Sequence, residues 1–377
     1  MLLMQQSVNS DIPPISANTD RPRRAIWMYA GLVIILLVGI GAWYYSYSSM
    51  NLFTTIYKNA LKVHRSGDYT AAIAIFNQAA NEAPDKGAEG RAREMVAFEM
   101  FLRNEGSDRD QAIQIYKEII NDSAYPPSIR ALALADIALL TSEQGNTFAK
   151  QYFSQEPSNY YTAYPANSRY DIFKTVINMF ERSDAIHANS LAEYAIAYNY
   201  TVLLLNNALE GSTLQETATT IQQYIEKGDA NVSNLQYQPS NMARQYFYRA
   251  MALSVSGRTL NNVSLEDREA AYRLALAQGG VGENADPQLR TVMMQIRLNY
   301  AIFLLISNFP ENRDADIVNV LKAYEQTALD PASFKATRAS FVVMANAPDS
   351  YLKSQILKLA EISPELKGFL RSVGWQV

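Results

Sequence analysis

From Asn51 to the C terminus, apolar side chains recur three and four residues apart, and sustained alternation of period two is hard to find. This pattern predicts helices and no sheet. The segments NLFTTIYKNALKVHR, DYTAAIAIFNQAANE, REMVAFEMFLRN and DQAIQIYKEIIN are each about one helix long, and Gly or Pro separates them as helix breakers do. The pattern continues in SIRALALADIALLTSEQGN and SRYDIFKTVINMFERS, with the loop QEPSNYYTAYPANS between them. Three further pairs follow: ANSLAEYAIAYNYTVLLLNNALEG with TLQETATTIQQYIEKGD, SNMARQYFYRAMALSVSGRTL with SLEDREAAYRLALAQGG, and PQLRTVMMQIRLNYAIFLLISN with ADIVNVLKAYEQTALDP. Two shorter helices, FKATRASFVVMAN and DSYLKSQILKLAE, close the chain, while ALSVSGR and GGVGENADP read as turns.

One stretch breaks the amphipathic rule. Ala25 to Tyr45, AIWMYAGLVIILLVGIGAWYY, carries no charge, and at about 1.5 Å per residue it crosses a hydrocarbon core of roughly 30 Å. Trp27 and Tyr29 lie at one end and Trp43, Tyr44, Tyr45 and Tyr47 at the other, the placing expected of amphipathic rings at two water interfaces. A cleaved signal peptide is the rival reading, but its apolar core is about 7–15 residues, so an uncleaved anchor is expected. Arg21, Arg23 and Arg24 abut the apolar run, which predicts a cytoplasmic N terminus and an extracytoplasmic remainder at the plasma membrane. Residues 1–24 read as a short disordered tail and 25–47 as the transmembrane helix. Val202–Leu209 and Tyr300–Ile306 are too short to be further spans.

The segment RSGDYTAAIAIFNQAANEAP resembles a tetratricopeptide repeat, with Gly67, Tyr69, Ala72, Phe76, Ala79 and Pro84 at that family's spacing. Small Ala72 and Ala79 let helices approach, Tyr69 and Phe76 fill the gaps, Gly67 permits a tight turn and Pro84 ends the helix. Ala112, Tyr116 and Ile119 repeat the spacing of Ala72, Phe76 and Ala79 forty residues on, against a family period of about 34. Ala270, Leu274 and Ala277 give a third, weaker echo. The resemblance covers residues 51–125 well and 126–377 as degenerate helix pairing. It implies an all-α solenoid whose concave face binds a protein or peptide. Carrying the family's inward positions onto the first helix gives Thr54, Tyr57, Leu61 and His64. Members that clamp a chaperone's C-terminal carboxylate use Lys and Asn where this chain has Tyr57 and Leu61, so an apolar or aromatic groove is implied instead. The same residues also suit packing against the next repeat.

Composition narrows the chemistry. The 377 residues carry a net charge of −4 with no basic cluster beyond the three arginines, so nucleic acid is not an expected partner. Without cysteine, disulfides, thiolate nucleophiles and sulfur-ligated zinc are excluded. His64 and His187 are the two histidines, and both read as surface or groove residues. GVGENA at Gly280–Ala285 follows a helix instead of a strand, and SYLK at Ser350–Lys353 lacks its partner motifs. Glu266 and Asp267 read as an exposed helix start. No nucleophile with a base is visible, so no enzyme and no cofactor are expected; oligomeric state is left open. The expectation is a membrane-tethered scaffold for secretion, translocon or cell-wall assembly. The alternative is an enzyme or ligand receptor with its site in Gln155–Arg169 or Gly279–Pro287.

Overall fold

The computed structural model describes residues 48–144, 171–205, 209, 212–232, 239–279, 287–328 and 351–377. The predicted anchor and its flanking Arg21, Arg23, Arg24, Trp27, Trp43, Tyr44 and Tyr45 lie outside the described residues, as do the loop QEPSNYYTAYPANS, GVGENA and the helix expected at FKATRASFVVMAN. Contacts divide the chain into Met1–Leu52 and Phe53–Val377. Of the first unit only 48–52 are described, and they are helical. The second unit is the subject below.

Among the described residues there are helices and no strands. Residues 48–65 form α1. It is followed by α2 (Tyr69–Asn81), α3 (Lys86–Arg103), α4 (Asp108–Asn121), α5 (Pro127–Gln144), α6 (Asp171–Ile186) and α7 (Ser190–Leu205). Then come α8 (Leu214–Asn231), α9 (Pro239–Leu260), α10 (Leu265–Ala277), α11 (Pro287–Ile306), α12 (Asp314–Ala328), α13 (Tyr351–Ile362) and α14 (Pro364–Ser372). Each odd-numbered helix from α3 on packs against the even one after it, and α3 meets α5, α7 meets α9, α9 meets α11 and α11 meets α13. The odd helices therefore form one layer of a solenoid-like stack of helix pairs, and two large apolar clusters join α3 to α14.

The start of this stack follows from local chemistry. Gly67 adopts φ +79° between α1 and α2, a left-handed conformation that costs a residue without Cβ little. Asp68 then caps α2, its carboxylate accepting from the Ala71 N–H at 3.0 Å. Ala72, Phe76 and Ala79 are fully buried, as are Ala60 on α1 and Ala92 on α3, so small residues sit where helices touch and Phe76 fills the space between them. Tyr69 is partly buried, and Pro84 lies just beyond the Glu82 cap of α2. Asp85 then caps α3 through the Ala88 N–H at 2.8 Å. This cap lets α3 begin at Lys86, two turns earlier than the apolar pattern suggests. Ala112, Tyr116 and Ile119 are fully buried on α4.

Three expectations are corrected. ALSVSGR is not a turn, because α9 runs through it to Leu260. Gly257 is there for space: a Cβ on it would meet the Val263 Cβ at 2.7 Å. On α10 the inward face is Ala271, Tyr272 and Ala275, while Leu274 is 45% exposed, so the Ala270, Leu274 and Ala277 register is displaced by one residue. Among the described residues a further helix, α14, follows DSYLKSQILKLAE. Ser363 caps it through the Leu366 N–H, and Pro364 occupies its first turn, where a missing N–H costs nothing. Among the described residues one segment, Gln288–Ile306, is long and apolar enough to cross a membrane. It is 61% buried within the protein, as suits a core helix.

Candidate functional site

Three of the four residues expected on the inward face of α1, Tyr57, Leu61 and His64, pack against neighbouring helices. Tyr57 stacks on Phe53 at 5.5 Å and meets the edge of Phe76 at 5.3 Å. Leu61 packs with the cluster of Ala60, Phe76 and Met95. Thr54 is partly exposed. His64 is not a surface residue: it is 3% exposed, and its Nδ1 lies 2.5 Å from Oε1 of Glu99 on α3, which is fully buried. His187 is partly buried in the turn between α6 and α7.

A different set of polar groups converges one helix further in. On α3, Glu94, Phe98 and Phe101 share a face at spacings of four and three, and on α5 Asp136, Leu139 and Leu140 do the same. The two faces meet. Glu94 and Asp136 hydrogen-bond to one another, and both are buried. Burial, then the charge and hydrogen bond of Asp136, push the Glu94 carboxyl well above its ordinary range. Burial also pushes Asp136 up to about 6, restrained by the Glu94 hydrogen bond, by the Arg244 guanidinium and by Asn241, both on α9. Two carboxyls this close in a poorly hydrated site hold one proton between them. Glu94 keeps it, and Asp136 carries the negative charge above about pH 6. Tyr116 on α4 is fully buried nearby, and burial followed by the surrounding acids drives its phenol well up.

Above this pair lies a cavity of about 280 Å³ lined by Phe98, Phe101, Leu102, Asn104, Arg109, Asp136, Leu139, Leu140, Arg244 and Gln288. Its apolar wall comes from α3 and α5. Its polar groups come from the turn after α3, where Asn104 adopts φ 51°, from the first turn of α4, and from α5, α9 and α11. Arg109 lies over the Phe101 ring at 5.4 Å. Asp136 is 3% exposed, and its Oδ2 has no hydrogen-bond partner among the described residues. Such an atom costs stability until a donor reaches it. Chemically, the cavity combines two guanidinium groups, a buried carboxylate with an unused acceptor, two amides and a wall of aromatic and aliphatic side chains. Among the described residues no group of three or more His, Asp or Glu is placed to hold a metal ion.

The irregular regions expected to hold a site, 155–169 and 280–286, lie outside the described residues. The signal of the acid pair was present in the sequence: Asp136 is the lone charge within ALALADIALL, and Glu94 and Glu99 bracket the apolar MVAF. Acids inside an otherwise apolar helix are rarely buried without a partner. That partner, and Arg244 more than a hundred residues away, come together only in the folded chain.

The fold and the cavity together define an all-helical, solenoid-like protein with a small polar-floored pocket in its odd-helix layer. Comparison with protein-family models, with curated protein sequences and with solved structures gives no match.

Proposed function

We propose that this chain is a non-catalytic binding module: a tetratricopeptide-like solenoid tethered to the plasma membrane by residues 25–47, with its N terminus cytoplasmic and its helical domain extracytoplasmic. Its concave, odd-helix layer takes a protein or peptide partner, in a role of the secretion, translocon or cell-wall assembly type. The observation that carries the reading is the continuing contact of α7, α9, α11 and α13 along one layer, because stacked pairs of this kind leave an extended surface suited to partner binding. At the start of that layer Thr54, Tyr57 and Leu61 keep part of their surface exposed.

Proximity labelling with a ligase fused to the C terminus tests the partner and the membrane side together. The expected outcome is enrichment of one or a few extracytoplasmic proteins over a control that carries residues 1–50 alone. Labelling confined to cytosolic proteins would overturn the topology, and a profile equal to the control would overturn partner binding. A second reading, a receptor for a small ligand, is favoured by the cavity above Asp136.

A further inference from the structure

We propose that the exposed basic stripe of α1, formed by Lys58, Lys62 and Arg65, docks on the anionic headgroups of the bilayer beside it. The inference rests on the reading of residues 25–47 as a membrane anchor.

The stripe follows from helical spacing. At about 100° per residue, positions 58, 62 and 65 fall within an arc of about 60°, and all three residues are exposed. Phe53, Ala60 and His64 are buried on the opposite side of α1, where they meet α2 and α3. Packing of the first helices therefore turns the three cations outward.

Nothing on the described protein neutralises them. The sequence holds no Asp or Glu between Asp20 and Asp68, and no ion pair engages any of the three among the described residues. The bases of α3 are treated differently, since Lys86 pairs with Glu89 at 2.8 Å and Arg103 with Asp108 at 2.6 Å. On α1, Lys58 and Lys62 are four residues apart and Lys62 and Arg65 three, so the row repels itself on the free helix. An anionic surface removes that penalty.

Chain length selects the occupant. The span as read ends at residue 47 and α1 begins at 48, so no linker separates this helix from the bilayer. With a rise of about 1.5 Å per residue, an upright helix carries Lys58 about 16 Å and Arg65 about 27 Å from the bilayer edge. Both distances exceed the Debye length of about 8 Å at physiological salt. A helix lying along the surface brings all three cations within it, where each adds to the attraction for anionic lipid. Docking thus lays α1 on the bilayer and fixes the direction in which the helix stack leaves it. An acidic protein matches three cations equally well in charge, but it must be recruited from solution, whereas the covalent chain already holds α1 beside the headgroups.

Fluorescence quenching on the full chain tests the docking. The chain has no cysteine, so Thr55→Cys, exposed beside the stripe, takes a single fluorophore. The labelled chain is reconstituted in phosphatidylcholine vesicles with or without phosphatidylglycerol, each containing a lipid with a nitroxide headgroup that quenches on contact. At about 0.1 M salt, quenching is expected to be about twofold or more stronger in the anionic vesicles, and the excess should vanish at about 1 M, where the Debye length shrinks to about 3 Å. Lys58→Gln, Lys62→Gln and Arg65→Gln combined should abolish the excess as well. The lipid and salt comparisons keep all three bases, so they do not depend on how the triple variant folds. Equal quenching in the two vesicles overturns the docking and leaves the stripe to an acidic protein. An excess that survives high salt or the triple substitution overturns it too. Alkaline carbonate extraction separates this inference from the reading beneath it: release from neutral vesicles overturns the anchor and the docking together, whereas retention with equal quenching overturns the docking alone.

Discussion

Glu94 and Glu269 are both buried glutamates on packed helices, and their surroundings treat them in opposite ways. In the α10–α12 region, Glu269 Oε1 accepts from the Tyr300 hydroxyl at 2.8 Å and from Arg273 at 2.7 Å, and it pairs with Arg313. Burial works to raise its pKa, but these donors overcome it and hold the carboxyl below its ordinary range. Arg313 is fixed in turn by Asp316 at 2.8 Å and by the Phe309 ring at 4.6 Å. In the α3–α5 region, Glu94 faces another acid, and burial with that neighbour drives it upward. The first arrangement satisfies a charge and ties three helices together. The second leaves an acceptor open beside a cavity, which is the mark of a site and not of a strut.

The two regions also differ in how packing relates to sequence. On α2 the small–aromatic–small spacing faces inward, and Ala72, Phe76 and Ala79 are fully buried. On α10 a triplet of the same spacing points the wrong way, and Tyr272 instead packs between Tyr300 at 5.6 Å and Phe303 at 5.1 Å. Spacing alone repeats around a helix, so it names a face only when polar residues mark the opposite one. In LEDREAAYRLALA two adjacent stripes are nearly equally apolar, and the tertiary contacts of Tyr272 and Glu269 choose between them.

Four measurements would break or sharpen this contrast. Phe76→Ala should have the largest effect, a loss of about 4 kcal/mol from an unrelieved cavity between helix pairs, read as a lower denaturant midpoint. Glu269→Gln should cost about 3 kcal/mol, because the mostly buried Arg313 loses its anion; a change below 1 kcal/mol would mean that the network is not a structural tie.

The acid pair should act through pH with a definite sign. As pH rises from about 4 to 6 the unfolded chain loses its carboxyl protons, while Asp136, titrating near 6, and Glu94, shifted the same way, retain theirs over more of that range. The folded state then binds more protons, so the pair's contribution to stability is greatest at the acid end of this window and falls as pH rises through it. Glu193, pushed to about 7 by burial and by Asp184, extends the decline. Glu94→Gln should flatten the slope between pH 4 and 6 and leave the Glu193 portion, as followed by denaturation midpoints across pH. A slope unchanged by Glu94→Gln would remove the pair from the account. The smallest effect belongs to Leu274→Ala, expected within about 0.5 kcal/mol of the parent because the side chain is exposed.

Much of this architecture was legible beforehand. Apolar spacing and breakers locate most of the helices, and on α2 and α4 the small–aromatic spacing coincides with buried side chains, whereas His64 on α1, expected to face a groove, is buried. Charge in an apolar context, at Asp136 within ALALADIALL, is a readable sign of a site. The helix pairs, the cap at Asp68 and the turn at Gly67 are settled by the sequence, since periodicity, capping and backbone freedom act over a few residues. Which stripe of α10 turns inward, why Gly257 sits inside a helix, and where Glu94, Asp136 and Arg244 meet were decided by the tertiary structure, because burial and electrostatic coupling depend on neighbours that the chain brings together only on folding.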